Sequence, residues 1–399
     1  MKALVFITGR GLGGDAVIGM NIIKALESKG FDCELALDSS APGILFERNG
    51  YSWHKISIPQ AGGHAANKAT TIKAGFKTIK AAFESKHLIK KIKADVVVGV
   101  IGGGAVVGCI GAKLAKIPAV GILSTPLDTK VCTKLNTCIV FPEAHMFRQK
   151  EVPNNVYKSY FPVAPNILKG NKEIALKNIK LHCVKEKEKN PNAIDFDENK
   201  KTILFSSGST IFEKMARGVS DYSKITDKYN IVLVGLPLKE EYYDWFDNEN
   251  MIYLGYIDWI KDLYELVDLA VLTDDGMMLQ EAMVCNLPSI ALLRVKYGRY
   301  HNMASVFKGA VFEADNDNLS DVIEEVMSNI NEVQLKTEDY STKIVNSAEN
   351  IANIILKECK RRNKLNGLIH IFHYFRYRIS IWMNFNKLIK IFHICPNIH

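Results

Sequence analysis

Paired metal ligands and disulfide motifs are missing from this 399-residue chain. Its eight cysteines form no C-x-x-C pair, and its ten histidines form no H-E-x-x-H motif or other paired spacing. Several cysteines stand inside apolar runs, as buried thiols do. These absences predict reduced thiols in a cytosolic protein that binds no metal. The cysteines are Cys33, Cys109, Cys132, Cys138, Cys183, Cys285, Cys359 and Cys395.

Long hydrophobic runs are also scarce. The longest uncharged segment, Val96 to Ala112, has 17 residues and is interrupted by six glycines. A membrane-spanning helix needs about 20 apolar residues. The segment therefore predicts a buried strand, a glycine turn and the start of a helix. The chain begins Met1-Lys2 and runs straight into an apolar strand without a cleavage-like region, which argues against a signal peptide.

Two common phosphate-binding signatures are missing as well. The first glycine turn, Gly9 to Gly14, has the spacing G-x-G-x-G-G, not the G-x-G-x-x-G of dinucleotide-binding proteins. A second comparable turn, Ser206 to Thr210, is not followed by Gly-Lys-Ser/Thr and is no Walker loop. The sequence therefore argues against an ATP- or GTP-hydrolysing machine and against a nicotinamide cofactor, and we predict no cofactor.

An excess of positive charge is missing from most of the chain, although the net charge of the whole chain is +8. Nine basic residues and one acid lie between Lys357 and His399, so the rest holds 42 of each sign and is neutral. A nucleic-acid-binding protein normally carries positive charge across its folded body. We therefore predict no nucleic-acid partner and one specialised basic tail.

The chain does contain a repeated order of short apolar strands, glycine turns and helices. Lys2 to Thr8 is a continuous apolar run, Ala16 to Lys29 has helical spacing, and the same order begins again at Thr202. Such alternation indicates parallel sheets covered on both faces. We predict an α/β protein with two doubly wound Rossmann-like domains facing a cleft, followed by a C-terminal amphipathic helical tail.

Composition sets the expected domain boundaries. Residues 166–201 are rich in Lys, Glu and Asn and show little apolar periodicity, which predicts a linker or surface insertion. The N-terminal domain then covers residues 1–165 and the C-terminal domain residues 202–340. A C-terminal crossing helix is predicted over 341–364 and a basic aromatic tail over 365–399.

The first glycine turn offers a candidate for chemistry. It opens a helix whose free amides and positive dipole end can meet an anion or a polar ligand. Asp15 stands at the start of this helix. One interpretation is an acid that the helix dipole stabilises by about 0.3–1 kcal/mol. The other is a general base aimed into the cleft, and the residues alone leave both open.

The segment from Asp268 to Ile290 is the most informative. A strand ends in a turn at Gly276, a helix begins, and Glu281 lies just over one turn inside it. The helix amides can meet a diphosphate, and the carboxylate can accept both vicinal hydroxyls of a ribose. A buried glutamate needs a partner because an unpaired buried charge is costly. The alternative is a glutamate on a solvated helix face.

Four motifs in this order resemble the GT-B glycosyltransferases, most closely family 28, which includes enzymes of peptidoglycan precursor synthesis. They are G-x-G-x-G-G-D near the start, D-V-V-V-G-V-I-G-G-G in the middle, F-S-S-G-S after the predicted linker, and T-D-D-G-x4-E-A-x5-P-S-I. The resemblance covers residues 1–360, and the glutamate-containing motif is its specific part.

The resemblance implies a metal-independent hexosyl transfer from a UDP-sugar that is held mainly by the second domain. It implies Asp15 as the base, although the peptidoglycan enzymes have His at that turn. The matching donor positions are Gly208 and Ser209 at the phosphate, Ile257 at the base edge, Gly276 and Met277 over the diphosphate, Glu281 at the ribose and Asn302 near the sugar. The matching acceptor-side glycines are Gly11, Gly13, Gly14, Gly102, Gly103 and Gly104.

Two stretches predict contact with an anionic membrane surface. Lys68 to Lys93 carries eight lysines against Glu84 alone, with apolar residues at near-helical spacing. Leu365 to Ile394 repeats aromatic and aliphatic residues every three or four positions between basic ones. The alternatives are a solvated lysine face packed on the first sheet, and a tail that folds onto the body or forms a dimer contact.

Together these features predict a glycosyltransferase that moves a sugar, an N-acetylhexosamine, from a UDP-sugar to a lipid-linked or membrane-associated acceptor. The predicted location is the cytoplasm, peripheral on the inner face of the cell membrane. A UDP-sugar 2-epimerase of the same fold and a non-catalytic subunit of a membrane glycosyltransferase are the alternatives.

Overall fold

Two parallel sheets organise the molecule. A computed structural model describes residues 1–8, 13–59, 68–124, 126–142, 152–246, 250–274, 277–295 and 302–361, without the side chains of 68–76 and 126–127. The strands in these ranges are β1 (Lys2–Ile7), β2 (Asp32–Asp38), β3 (His54–Ile56), β4 (Val96–Val100), β5 (Ala119–Leu123), β6 (Thr137–Val140), β7 (Val156–Lys158), β8 (Thr202–Ile211), β9 (Asn230–Pro237), β10 (Ile252–Gly255), β11 (Leu269–Thr273), β12 (Ser289–Leu292) and β13 (Val311–Ala314).

The first sheet has the order β3-β2-β1-β4-β5-β6-β7. Its central strands are apolar at nearly every position, and β4 is buried along its whole length. Val5 of β1 lies opposite Leu35 of β2 on one side and Val98 of β4 on the other, in parallel. The strand order reverses between β1 and β4, so the carboxyl ends of these two strands form the crevice where ligands bind in such sheets.

The second sheet repeats this plan in the order β10-β9-β8-β11-β12-β13. Phe205 of β8 lies opposite Leu233 of β9 and Val271 of β11, again in parallel. The order reverses between β8 and β11, which creates a second crevice at the carboxyl ends of the strands. The prediction of two doubly wound α/β domains is confirmed, and the predicted tail, residues 365–399, lies outside the described residues.

Helices cover the faces of both sheets. They are α1 (Gly14–Ser28), α2 (Ile44–Arg48), α3 (Lys68–Ile92), α4 (Gly102–Ala115), α5 (Pro126–Cys132), α6 (Lys172–Lys189), α7 (Glu213–Ile225), α8 (Tyr243–Phe246), α9 (Ile260–Tyr264), α10 (Met277–Val284), α11 (Met303–Val306), α12 (Leu319–Ser328), α13 (Ile330–Val345) and a last helix, α14, over 347–361. None of the described helices is long and apolar enough to cross a membrane.

The segment predicted as a linker or surface insertion, residues 166–201, contains the helix α6 over half of its length. The Asn171 side chain caps this helix by accepting hydrogen bonds from the amides of Glu173 and Ile174. Its buried residues recur every four positions, which is a helical stripe only one residue wide. The many lysines around that stripe conceal it in the sequence. The buried residues are Ala175, Ile179 and Cys183.

An aromatic cluster joins the two domains into one core. The Tyr160 ring stacks on the Phe307 ring at 5.7 Å between centroids, and Phe141 meets both rings edge-on. Phe307 also meets Tyr340 of α13 edge-on at 5.3 Å. One apolar cluster therefore continues from the first sheet through these rings to the second.

The last helix, α14, packs back on the first domain. Glu349 pairs with Lys29 at the end of α1, with 3.2 Å between Oε1 and Nζ. The Cys359 thiol lies 3.9 Å from the sulfur of Met1. The seven cysteines in the described ranges are free thiols.

Candidate functional site

Two helix starts, one from each domain, meet in the cleft. Gly14 begins α1 beyond β1, and Met277 begins α10 beyond β11. A Cβ built on Gly14 would lie 2.8 Å from Cγ and 3.6 Å from Cβ of Met277. Glycine at position 14 therefore permits the contact, and Gly13 before it has φ +78°, a left-handed conformation that favours glycine.

Asp15 lies directly at this junction. It follows Gly14 in the first turn of α1, and its side chain is partly buried. The structure therefore brings the predicted base to the helix end that contacts Met277, whose role over the donor diphosphate was also predicted from the sequence. Gly11 and Gly276 lie outside the described residues.

Glu281 lies in the second turn of α10, and its carboxylate has a defined partner. The Tyr264 hydroxyl donates a hydrogen bond of 3.2 Å to Oε2 of Glu281. Burial raises the pKa of the Glu281 carboxyl above its ordinary value, and the hydrogen bond from Tyr264 opposes this shift. The residue keeps a partly accessible surface. The alternative interpretation, a glutamate on a solvated helix face, does not agree with this burial and this hydrogen bond.

Tyr264 is a residue that sequence reasoning missed. Its side chain is 2% exposed. Burial first, and then the nearby Glu281 charge, raise the pKa of Tyr264 well above its ordinary value. The hydroxyl therefore stays protonated and acts as a donor, which fixes one carboxylate oxygen of Glu281.

Gln280, next to Glu281, connects the two domains and was also missed. The Phe161 amide donates to Oε1 of Gln280 at 2.9 Å. The Gln280 amide nitrogen lies 3.2 Å from the sulfur of Met277. Since the Gln280 side chain is 4% exposed, these contacts hold the start of α10 against the segment that follows β7. A buried amide next to a functional glutamate carries no sequence signal of its own.

The predicted strand-to-helix turn at Ser206 to Ser209 is wrong in its local structure. The strand β8 continues to Ile211 around a register shift between Ser206 and Thr210, and α7 starts only at Glu213. Gly208 has φ +97°, and its amide donates to Oγ of Ser206 at 3.1 Å. This amide is therefore already engaged inside the bulge, whereas Ser209 is exposed at its tip.

Ile257 and Asn302 lie in two further connections of the second domain. Ile257 follows β10 and is partly buried. Asn302 has φ +52°, and it precedes the short helix α11, whose residues Ser305 and Val306 donate their amides to the Asn302 carbonyl. Ile257 lies just beyond the carboxyl end of β10, a region where such sheets bind ligands. The predicted donor contacts of both residues remain predictions.

The glycines at the start of α4 are required by close packing. A Cβ on Gly103 would lie 2.5 Å from the carbonyl oxygen of Pro59, and one on Gly104 would lie 2.7 Å from the amide nitrogen of Thr8. Gly102 donates its amide to Oδ2 of Asp128 at 2.9 Å, and Asp128 is 1% exposed. The Asp128 carboxylate thus accepts the hydrogen bond that an anionic ligand could otherwise accept at this helix start. Sequence reasoning did not find this role. An acceptor contact of Gly102 to Gly104 remains a prediction.

The lysine-rich helix α3 has two different faces. Leu88 and Ile89 are buried against the first domain. Ile79 and Phe83 stand out, 59% and 51% exposed, on a helix that also exposes lysines. The single apolar stripe predicted from the sequence is therefore divided, because only part of it packs on the sheet. Among the described side chains of α3, the exposed lysines are Lys77, Lys80, Lys90 and Lys91.

Metal ligands are not assembled in the part of the chain that the structure describes. No group of three or more His, Cys, Asp or Glu side chains there is placed to hold an ion. The chemistry that this cleft offers is a carboxylate at one helix start and a second helix start across from it.

Comparison with known proteins shows which proteins this chain is similar to. Residues 5–120 match the model of the glycosyltransferase family 28 N-terminal domain. A UDP-N-acetylglucosamine–N-acetylmuramyl-(pentapeptide) pyrophosphoryl-undecaprenol N-acetylglucosamine transferase from Thermodesulfovibrio yellowstonii is 25% identical over 314 residues, 75% of this chain and 80% of that one. The Clostridium botulinum (Loch Maree) enzyme of the same name is 26% identical over 309 residues, 73% and 78% of the two chains.

Solved structures share the fold. MurG from Acinetobacter baumannii has a TM-score of 0.61 at 13% identity, covering 90% of this chain and 100% of that one. A UDP-GlcNAc 2-epimerase from Neisseria meningitidis, bound to UDP-GlcNAc, has a TM-score of 0.59 at 14% identity over the same shares. At such identities the likeness concerns the fold alone. The predicted resemblance is confirmed: residues 5–120 match the family 28 N-terminal domain, most of the chain is similar to N-acetylglucosamine transferases, and the chain has the GT-B fold.

Proposed function

We propose that this protein transfers an N-acetylhexosamine from a UDP-sugar to a lipid-linked acceptor. The sequence relatives are transferases whose names specify UDP-N-acetylglucosamine and a pyrophosphoryl-undecaprenol acceptor. The observation that carries the proposal is the contact of Gly14 with Met277. This contact supports the proposal because the first turn of α1 contains Asp15 and α10 contains Glu281.

The reaction follows from these positions. An acceptor hydroxyl attacks the anomeric carbon, the bond to the diphosphate breaks, and Asp15 takes the hydroxyl proton. The leaving UDP carries the electron pair of the broken bond. The positive end of α10 and its amides stabilise the new negative charge. This arrangement uses protein groups alone.

Donor binding belongs to the second domain in this proposal. Glu281 accepts hydrogen bonds from the ribose hydroxyls, and Tyr264 holds the carboxylate in place for them. Hydrogen bonds to a charged group contribute about 1.5–3 kcal/mol each. Gln280 keeps this helix aligned with the first domain, where the acceptor binds.

In this proposal the membrane is contacted by α3 of the first domain and by the tail Leu365 to Ile394, which lies outside the described residues. Exposed Ile79 and Phe83 sit among lysines on α3, the combination with which a helix lies on an anionic bilayer. We infer a peripheral position on the inner face of the membrane, where such an acceptor is available. In vesicle sedimentation, Phe83→Ser should weaken binding to anionic vesicles, while Leu335→Ser, an exposed site on α13, should not. Equal binding of both variants to the vesicles would contradict the proposed contact of α3 with the membrane.

The deciding experiment measures UDP release from UDP-N-acetylglucosamine with and without a polyprenyl-diphosphate-linked sugar acceptor. Release that requires the acceptor supports the transferase. An epimerised nucleotide sugar formed without acceptor would instead identify an epimerase of this fold. UDP binding without either reaction would identify a non-catalytic subunit.

A further inference from the structure

The turn that joins β4 to α4 has an unfavourable backbone conformation. Ile101 has φ +52° and ψ +143°, and Gly102 after it has φ +50°. Glycine adopts a positive φ readily, whereas a β-branched residue such as isoleucine does so only under strain. Strain of this kind persists only where the surrounding structure enforces it, and it is concentrated at functional sites. We call Ile101 and Gly102 the strained turn.

The peptide group between these two residues is held at both of its ends. Its oxygen, the Ile101 carbonyl, accepts the Ala105 amide of α4 at 3.2 Å. Its nitrogen, the Gly102 amide, donates to Oδ2 of Asp128 at 2.9 Å. The Ile101 amide is bonded in addition to the carbonyl of Ile122 on β5 at 2.8 Å. Asp128 is therefore the side chain that fixes the orientation of the strained peptide.

The Asp128 carboxylate also connects two strand ends. It lies in the first turn of α5, and the same oxygen, Oδ2, is 3.4 Å from the amide of Ser124, the residue after β5. Asp128 is 1% exposed. A hydrogen bond to a charged acceptor is stronger than a neutral one, and water does not compete for it in a buried place. One buried carboxylate oxygen thus ties the end of β4 to the end of β5.

The strained turn lies on the wall of the cleft that also leads to Asp15. It follows β4, where the strand order of the first sheet reverses, and Thr8 at the end of β1 donates its amide to Val100 at 3.3 Å. A Cβ built on Gly102 would lie 3.5 Å from Oγ1 of Thr8. Thr8 is the last described residue before the glycine turn that precedes Asp15. The conformation of the strained turn therefore shapes the acceptor side of the cleft.

We propose that Asp128 is a positioning residue for the acceptor. It holds the strained turn in the one conformation that presents the start of α4 to the acceptor. The inference rests on the proposed function, in which Gly102 to Gly104 contact the acceptor. Asp128 is itself buried, so it acts through the turn and touches neither substrate. Its loss should weaken the use of the acceptor and leave the donor, which the second domain holds, unaffected.

Steady-state kinetics of acceptor-dependent UDP release separate this role from a general loss of structure. In Asp128→Ala the KM for the acceptor should rise by about tenfold or more, since one hydrogen bond to a charged group is lost, while the KM for the UDP-sugar stays unchanged. Asp128→Asn keeps a carbonyl oxygen for the Gly102 amide, so it should bring the acceptor KM back to within about threefold of the native value.

Asp95→Ala is the matched control in the same sheet. Asp95 precedes β4, and its Oδ2 accepts the Lys2 amide at 2.7 Å, at the end of the strand opposite the cleft. This variant should lose some stability in urea denaturation and keep both KM values. An equal rise of the acceptor KM in Asp95→Ala, or an equal rise of both KM values in Asp128→Ala, would overturn the proposal, as would an unchanged acceptor KM in Asp128→Ala.

Amide hydrogen exchange tests the same role without activity. Exchange over residues 101–105 should be slowest in the native chain and in Asp95→Ala, intermediate in Asp128→Asn and fastest in Asp128→Ala, with α10 unchanged. If Asp128→Ala does not fold, Asp128→Asn decides: faster exchange than in the native chain supports the proposal, and native exchange contradicts it. UDP release that never depends on an acceptor would refute the proposed function, and the exchange measurement would still show whether Asp128 holds the turn.

Discussion

In the first domain the turns that face the cleft need glycine, because a Cβ atom would not fit there. In the second domain the residues that face the cleft are held by hydrogen bonds to their side chains. Gly104 and Gly14 leave no room for a Cβ, against backbone in one case and against Met277 in the other. Glu281 and Gln280 are instead held by Tyr264 and by the Phe161 amide. The acceptor side therefore depends on close backbone approach, and the donor side on fixed polar groups.

The largest effect should follow from Asp15→Asn. As the general base, Asp15 should contribute a factor of about 10²–10⁴ to the rate of acceptor-dependent UDP release, with UDP affinity unchanged. Asp321→Asn is the matched control, because Asp321 is the first-turn acid of α12. If both variants lost only a little stability and kept the full rate, Asp15 would be an acid that serves the helix dipole.

The second-largest effect should follow from Glu281→Gln, which should weaken UDP binding and leave the rate of the chemical step unchanged. The amide keeps the shape but loses the charge that accepts ribose hydroxyls, so the dissociation constant of UDP should rise by about tenfold or more. Calorimetry measures this directly. Glu265→Gln, an exposed position after α9, is the control. Unchanged UDP affinity in Glu281→Gln would remove the donor role from this residue.

Gly104→Ala tests the packing on the acceptor side. Its new Cβ would meet the Thr8 amide nitrogen at 2.7 Å, and backbone there cannot move away easily. We expect a loss of about 1–3 kcal/mol in the free energy of unfolding, the cost of overpacking, in urea denaturation. Gly14→Ala should cost less because the flexible Met277 side chain can move. Equal stabilities of Gly104→Ala and the native chain would contradict the comparison.

The smallest effect concerns pH. Donor binding uses the ionised form of Glu281, so it is complete above the pKa of this carboxyl, which burial raises, and is lost as the pH falls through it. The Tyr264 hydroxyl lowers that pKa. Tyr264→Phe should therefore move the acid limb of UDP affinity to higher pH. An unshifted limb would mean that Tyr264 has no influence on the titrating group.

Some of these features were predictable from the sequence and others were not, for physical reasons. Both sheets could be predicted from the apolar runs and glycine turns, because buried parallel strands appear in a sequence as continuous apolar runs. The positions of Asp15 and Glu281 near helix starts were predictable because each follows a strand end within one motif, whereas their roles stay predictions. Gln280, Tyr264 and Asp128 were missed because their partners, Phe161, Glu281 and Gly102, lie 119, 17 and 26 residues away along the chain. Only the fold brings such pairs together.

The central claim is that the two helix starts form one site, and a cross-link tests it most directly. The Cβ positions at residues 14 and 277 are 3.6 Å apart, within the range that a disulfide needs. The double variant Gly14→Cys with Met277→Cys should cross-link under mild oxidation and lose acceptor-dependent UDP release until it is reduced. Each single variant controls for the native thiols. A folded double variant that never forms the cross-link would contradict the account.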